Sequence, residues 1–152
     1  MNETAPRVIK IPAKPESVRQ AELKRQLRVA AYCRVSTKEE DQANSYEAQK
    51  ECYTDKIMSN PTWTMAGIFA DKGITGTSVK KREDFMRMIR HCRQRKIDVV
   101  LTKSVSRFAR NTVDCLYYTR ALKELGIAVI FEKENINSLE EDSELRITLS
   151  GA

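Results

Sequence analysis

VAAYCRV, residues 29–35, is the stretch that decides the fold. It is short, mostly apolar and β-branched at both ends, the pattern of a strand buried on both faces. A polar loop, STKEEDQANS, follows from Ser36 to Ser45. The spacing then predicts a helix over about Ser45 to Met58, with Asn44 or Ser45 as its cap. Pro61 breaks the chain, and Trp63 to Phe69 is a second strand. The run DKGITGTS, 71–78, reads as a flexible glycine loop. Phe85, Ile89 and Cys92 recur at helical spacing from about Glu83 to Arg95, and IDVVLT, 97–102, is a third strand. Asn111 and Asp114 resemble a capping box and open a further helix, with Leu116, Leu122 and Leu125 on its apolar side and Gly126 at its end. Ile127 to Phe131 is a fourth strand.

Strands alternating with helices of about a dozen residues imply the α/β class. The expected architecture is a mostly parallel central sheet of about four to five strands with helices on both faces.

Composition narrows the function classes. The chain has 152 residues, the size of one domain. With 41% hydrophobic residues it can build a core despite 32% charged residues. No apolar run approaches the length of a bilayer span, so no membrane partner is expected, and the N-terminus lacks the apolar stretch of a secretory signal. Cys33, Cys52, Cys92 and Cys115 are widely spaced and His91 is the only histidine, so no zinc site or other metal site is readable. Four reduced cysteines acting as small hydrophobes in a cytoplasmic protein are expected.

The net charge of +6 favours an anionic partner, nucleic acid first. The charge is uneven. Lys80 to Arg110 holds eleven basic residues against three acidic ones, whereas Glu132 to Glu144 holds six acids and one lysine. Such asymmetry suits a polyanion on one face and something else, such as a like subunit, on another. Residues 1–27, with three prolines and six basic residues against three acids, read as a basic N-terminal extension in which Ser17 to Leu27 could form a short helix. Residues 28–140 form the folded domain. Residues 141–152 start like a helix, with Asp142 or Ser143 near its cap, and are expected to be the beginning of a longer one.

In an open α/β sheet, ligands bind beyond the carboxyl ends of the strands. The first strand ends in Arg34-Val35-Ser36, and alternation lets Arg34 and Ser36 point the same way. The third strand runs into Ser104-Val105-Ser106-Arg107-Phe108-Ala109-Arg110. A helical turn starting near Ser104 would put Arg107 and Arg110 on one face. Were the two strands neighbours, a hydroxyl would meet three guanidiniums. That set suits phosphoryl transfer, because arginine binds phosphate bidentately and stays charged. A basic nucleic-acid-binding module that performs no chemistry remains the alternative. A receiver-like domain would need acids at the strand ends. A cysteine phosphatase would need arginine where Asp98 stands.

AAYCRVST, then Gln49, FADKGITGTS, Arg82 and KSVSRFAR together resemble the catalytic domain of the serine recombinases, the resolvase/invertase family, from about Arg28 to the end. The leader, the loop-rich start and the serine in SRFAR are most like the large serine recombinases, including transposon-borne ones. The resemblance implies a site-specific DNA recombinase in which Ser36 attacks a phosphodiester, forms a 5′-phosphoserine link and rejoins strands without ATP. It implies that Arg34, Arg107 and Arg110 hold the scissile phosphate, that Arg82 is a further active-site arginine and that Gln49 supports the site. Small members usually carry Asp where Ser106 stands, which leaves the role of position 106 open. No cofactor is implied. The implied partners are double-stranded DNA and, for a full-length protein with a DNA-reading region beyond residue 152, further copies of itself, a dimer on each site and a tetramer at synapsis; these 152 residues alone are expected to be a monomer or a weak dimer. The implied setting is the bacterial cytoplasm. His91, within a basic helix, is not expected to be catalytic.

Overall fold

The computed structural model describes residues 25–36, 41–73 and 82–151. Most of the basic extension and the glycine loop from 74 to 81 lie outside them.

Five strands form one sheet in the order β2-β1-β3-β4-β5. They are β1 (Leu27–Val35), β2 (Trp63–Lys72), β3 (Val99–Thr102), β4 (Ala128–Phe131) and β5 (Ile136–Asn137). The first four pair in parallel, and the two-residue β5 adds an antiparallel edge. The helices are α1 (Tyr46–Met58), α2 (Glu83–Arg93), α3 (Val105–Phe108), α4 (Thr112–Glu124) and α5 (Ser143–Ser150). This is the expected α/β layout.

Alternation along β1 splits the core in two. Ala30 and Tyr32 face one layer with Phe85, Met88, Ile89 and Cys92 of α2, Cys115 and Leu122 of α4 and Ile147 of α5. Val29, Ala31, Cys33 and Val35 face the other, with Tyr53 and Ile57 of α1. Each fully buried Phe or Leu contributes roughly 1.5–3 kcal/mol. The sheet is thus covered on both faces, and its loops past the strand ends are free to carry a site.

Several sequence expectations shift. Leu27 belongs to β1 and not to a preceding helix; residues 17–24 of that helix lie outside the described chain. Strand β2 runs on to Lys72, because Asp71 and Lys72 still pair with Arg34 and Val35; they are not loop. Strand β3 starts at Val99, two residues later than the apolar run suggests. Asp98 is taken up by Arg28, whose amide and guanidinium bond its carboxylate at 2.8–3.0 Å. Helix α2 stops at Arg93, since Arg95 turns left-handed (φ +62°), a conformation that ends helices. Strand β5 carries no sequence signal of its own at two residues. Cys33, Cys92 and Cys115 are buried, but Cys52 is exposed on α1 and is no core residue. Burial pushes each of the three buried thiols up to about 12.

Between Val29 and Ala30 the β1–β2 register slips by one, so that Ala66 is an extra residue beside Gly67. Gly67 has φ +154°, and a Cβ there would sit 3.1 Å from the Phe69 ring. This is a β-bulge built on glycine.

Candidate active site

The carboxyl ends of β1 and β3 are hydrogen-bonded neighbours, Tyr32 opposite Thr102. The juxtaposition inferred from sequence is therefore present. Three of the singled-out residues meet at one atom, the main-chain carbonyl of Arg34. Gln49 Nε2 donates to it at 2.9 Å from α1, and Arg107 Nη1 donates at 3.1 Å from α3. Gln49 also donates to the Asn44 carbonyl at 3.1 Å, and that same carbonyl accepts the amide of Ser36 at 2.9 Å. Ser36 stands one residue beyond β1, half-buried. Its backbone is thus pinned by the group that also orients Gln49. Local sequence explains the placement. Ser45 Oγ accepts from Ala48 N at 3.1 Å and starts α1, which sets Gln49 on the first turn, facing the strand end.

Arg107 sits on α3, which begins where expected. Ser104 is its cap and accepts from Arg107 N at 3.3 Å. Ser106 is exposed, its hydroxyl 3.2 Å from that of Ser104. Arg110 does not share the face of Arg107. The turn ends at Phe108, and Ala109 is extended (φ −147°, ψ 157°), so the three-residue spacing no longer counts helical rotation. Arg110 is exposed just past this kink.

Arg82, the residue just before α2, joins the same region. It donates to the Phe108 carbonyl, and its guanidinium lies 3.7 Å over the Phe85 ring and 5.3 Å over that of Tyr32. Arg34 is half-buried, and a side chain at Gly73 would lie 3.7 Å from its Nε and Nη2. Gln49 and Arg107 thus meet Arg34 at the strand end that leads into Ser36, Arg82 reaches the carboxyl end of α3, and Arg110 stands exposed just beyond it.

Sequence reading missed Asp71. Its carboxylate accepts from the amides of Asp84 (2.9 Å) and Phe85 (3.0 Å) and from the Tyr32 hydroxyl (2.8 Å). A residue of β2 therefore caps α2 and fixes where Arg82 begins. In return Asp84 accepts the amide of Ala70 at 2.9 Å. The available signal was an acid two residues past inward-facing Phe69, on Tyr32's face of the sheet. Burial pushes the Tyr32 hydroxyl pKa up; the Arg82 cation opposes this. Tyr32 is a packing group with a polar handle, and Phe108 is buried too.

His91 lies on α2 against Phe69, ring centroids 5.5 Å apart, and takes no part in the rim. Desolvation, then Lys96, Arg87 and Arg90, hold it below the usual imidazole value.

Comparison with known proteins agrees. The family model described as "Resolvase, N terminal domain" matches residues 29–152. A resolvase family site-specific recombinase from Streptococcus pneumoniae is 30% identical, with 82% of this chain and 83% of that one covered and a TM-score of 0.64. In fold the chain is also similar to the N-terminal catalytic domain of TP901-1 integrase (22% identity, 80% and 90% covered, TM-score 0.62). The C-terminal catalytic domain of ISC1926 TnpA, an IS607-like serine recombinase, is similar as well (18% identity, 70% of each chain covered, TM-score 0.57). No curated protein matches the chain. With its parallel sheet, its arginine-lined rim and a family match that spans most of its length, the chain belongs to the resolvase family as a recombinase catalytic domain.

Proposed function

We propose that the chain cleaves and rejoins double-stranded DNA through a phosphoserine intermediate on Ser36. Ser36 Oγ attacks a backbone phosphorus, the P–O3′ bond breaks and the 3′-oxygen leaves as a hydroxyl. The DNA 5′ end stays on Ser36 as a phosphodiester, so the bond energy is kept. After strand exchange a 3′-hydroxyl attacks that phosphorus, and Ser36 leaves.

The observation that carries this reading is the shared Arg34 carbonyl. It draws Gln49 and Arg107 to the turn from which Ser36 emerges. Arg34, Arg107, Arg82 and Arg110 then oppose the charge that builds on the phosphoryl oxygens, the effect that lowers such barriers most. Gln49 orients the turn without touching the phosphate. The partners are duplex DNA and, in the full-length protein, further copies of itself, a dimer on each site and a tetramer at synapsis. Leu145 and Leu149 of α5, exposed and four apart, support self-association.

Incubation with candidate recombination-site DNA, quenched mid-reaction, should give a protein–DNA adduct that maps to the Ser36 peptide. Ser36→Ala should abolish it while leaving circular dichroism and salt-sensitive DNA affinity intact. Binding without any adduct would refute the proposal.

A further inference from the structure

Helix α3 has four residues and cannot hold itself together. Its leading amides find acceptors from two places. Ser104 Oγ takes the Arg107 amide, and a carboxylate oxygen of Glu134 takes the Val105 amide at 3.2 Å. Glu134 stands in the turn between β4 and β5, where Asn135 is left-handed (φ +56°). That turn is held in its own right from α5. Arg146 Nη2 donates to the carbonyls of Glu134 and Asn135, both at 3.1 Å. The turn is also anchored to the loop before α3, since the Lys133 amide bonds the Lys103 carbonyl at 2.8 Å. Hydrogen bonds therefore connect the first turn of α5, through the β4–β5 turn, to the short helix that presents Arg107. Neither Glu134 nor Arg146 is among the rim residues described above.

We infer that Glu134 is a positioning residue for Arg107 and that Arg146 holds Glu134 in place. The inference rests on the proposed role of Arg107 at the phosphate. A carboxylate at the start of a helix satisfies an amide and complements the dipole. Without it the Val105 amide loses its acceptor and α3 frays from its first residue, leaving Ser104 and the Arg34 carbonyl to aim Arg107. The coupling also means that whatever shifts the start of α5 is felt at the arginine rim.

The test compares the parent chain with Glu134→Ala, Glu134→Gln and Arg146→Met by two readouts. One is amide hydrogen exchange across Val105–Phe108. The other is the single-turnover rate of covalent DNA adduct formation, with DNA affinity measured separately. Glu134→Ala should speed exchange there about tenfold and slow adduct formation about tenfold at unchanged DNA affinity. Glutamine keeps an acceptor oxygen, so Glu134→Gln should return both readouts to within about twofold of the parent. Arg146→Met should move both in the same direction as Glu134→Ala.

Unchanged exchange in Glu134→Ala would overturn the inference. So would faster exchange with an unchanged adduct rate, a glutamine variant as defective as alanine, or an Arg146→Met chain identical to the parent. A parent chain that forms no serine adduct would instead overturn the phosphoserine reading. The exchange arm would still decide whether Glu134 and Arg146 hold α3.

Discussion

Arg107 donates its guanidinium to the main-chain carbonyl of Arg34 at 3.1 Å, across 73 residues of sequence. One arginine therefore helps to set the backbone of another. Lysine keeps the charge but has neither the planar fork nor the second donor. Arg107→Lys should slow adduct formation by about 10²-fold, and Arg107→Ala by about 10³-fold. Because the side chain is half-exposed, either change should cost less than about 1 kcal/mol of stability. Single-turnover cleavage and chemical denaturation measure the two effects separately.

Gln49 makes two neutral hydrogen bonds to main-chain carbonyls at the end of β1. Gln49→Ala should cost about 1–2 kcal/mol, read as a lower midpoint in urea. Adduct formation should slow while DNA affinity is kept.

Phe85 lies under Arg82 and makes edge contacts with Tyr32, Phe108 and Tyr118. Phe85→Leu keeps most of the volume and removes the aromatic face. Stability should fall by about 1–2 kcal/mol in thermal unfolding. Cleavage should fall about tenfold, as Arg82 loses the ring that holds its plane.

The Arg28 guanidinium, through its hydrogen bonds, holds the Asp98 carboxyl below the usual carboxylate range. A carboxylate depressed in the folded state stabilises the fold above its unfolded pKa. That contribution is lost as pH falls through the folded value. Asp98→Asn should therefore melt below the parent at about pH 7, and the gap should shrink towards about pH 2. Both partners are partly exposed, so high salt should narrow the gap as well.

Thr102 Oγ1 is buried and has no hydrogen-bond partner among the described residues. Thr102→Val has nearly the same shape and removes the orphaned hydroxyl. It should raise stability by roughly 1 kcal/mol, measured by denaturant titration, with cleavage unchanged.

Much of this molecule was legible in its sequence because β1, β3 and β4 are buried on both faces and read as continuous apolar runs. The Arg34–Ser36 end of β1 and the Ser104 cap of α3 follow from local pattern. Their meeting follows from parallel pairing alone. What escaped is what no local spacing encodes. Asp71 caps a helix 13 and 14 residues away and meets Tyr32 at a separation of 39. Glu134 reaches α3 from 29 residues further on. The helical count from Arg107 to Arg110 failed because a single extended residue, Ala109, interrupts it.

The extra residue in β2 has a cost and a use. Ala66 and Gly67 shift the phase of every side chain downstream, and with that phase Asp71 falls opposite Arg34 and on the face of Tyr32. Were the bulge ironed out so that Ala66 paired with Ala30, the carboxylate would turn to the far side of the sheet, leaving α2 uncapped and Arg82 adrift. A one-residue slip roughly 17 Å upstream along the strand would thus disarm the rim without altering any residue in it.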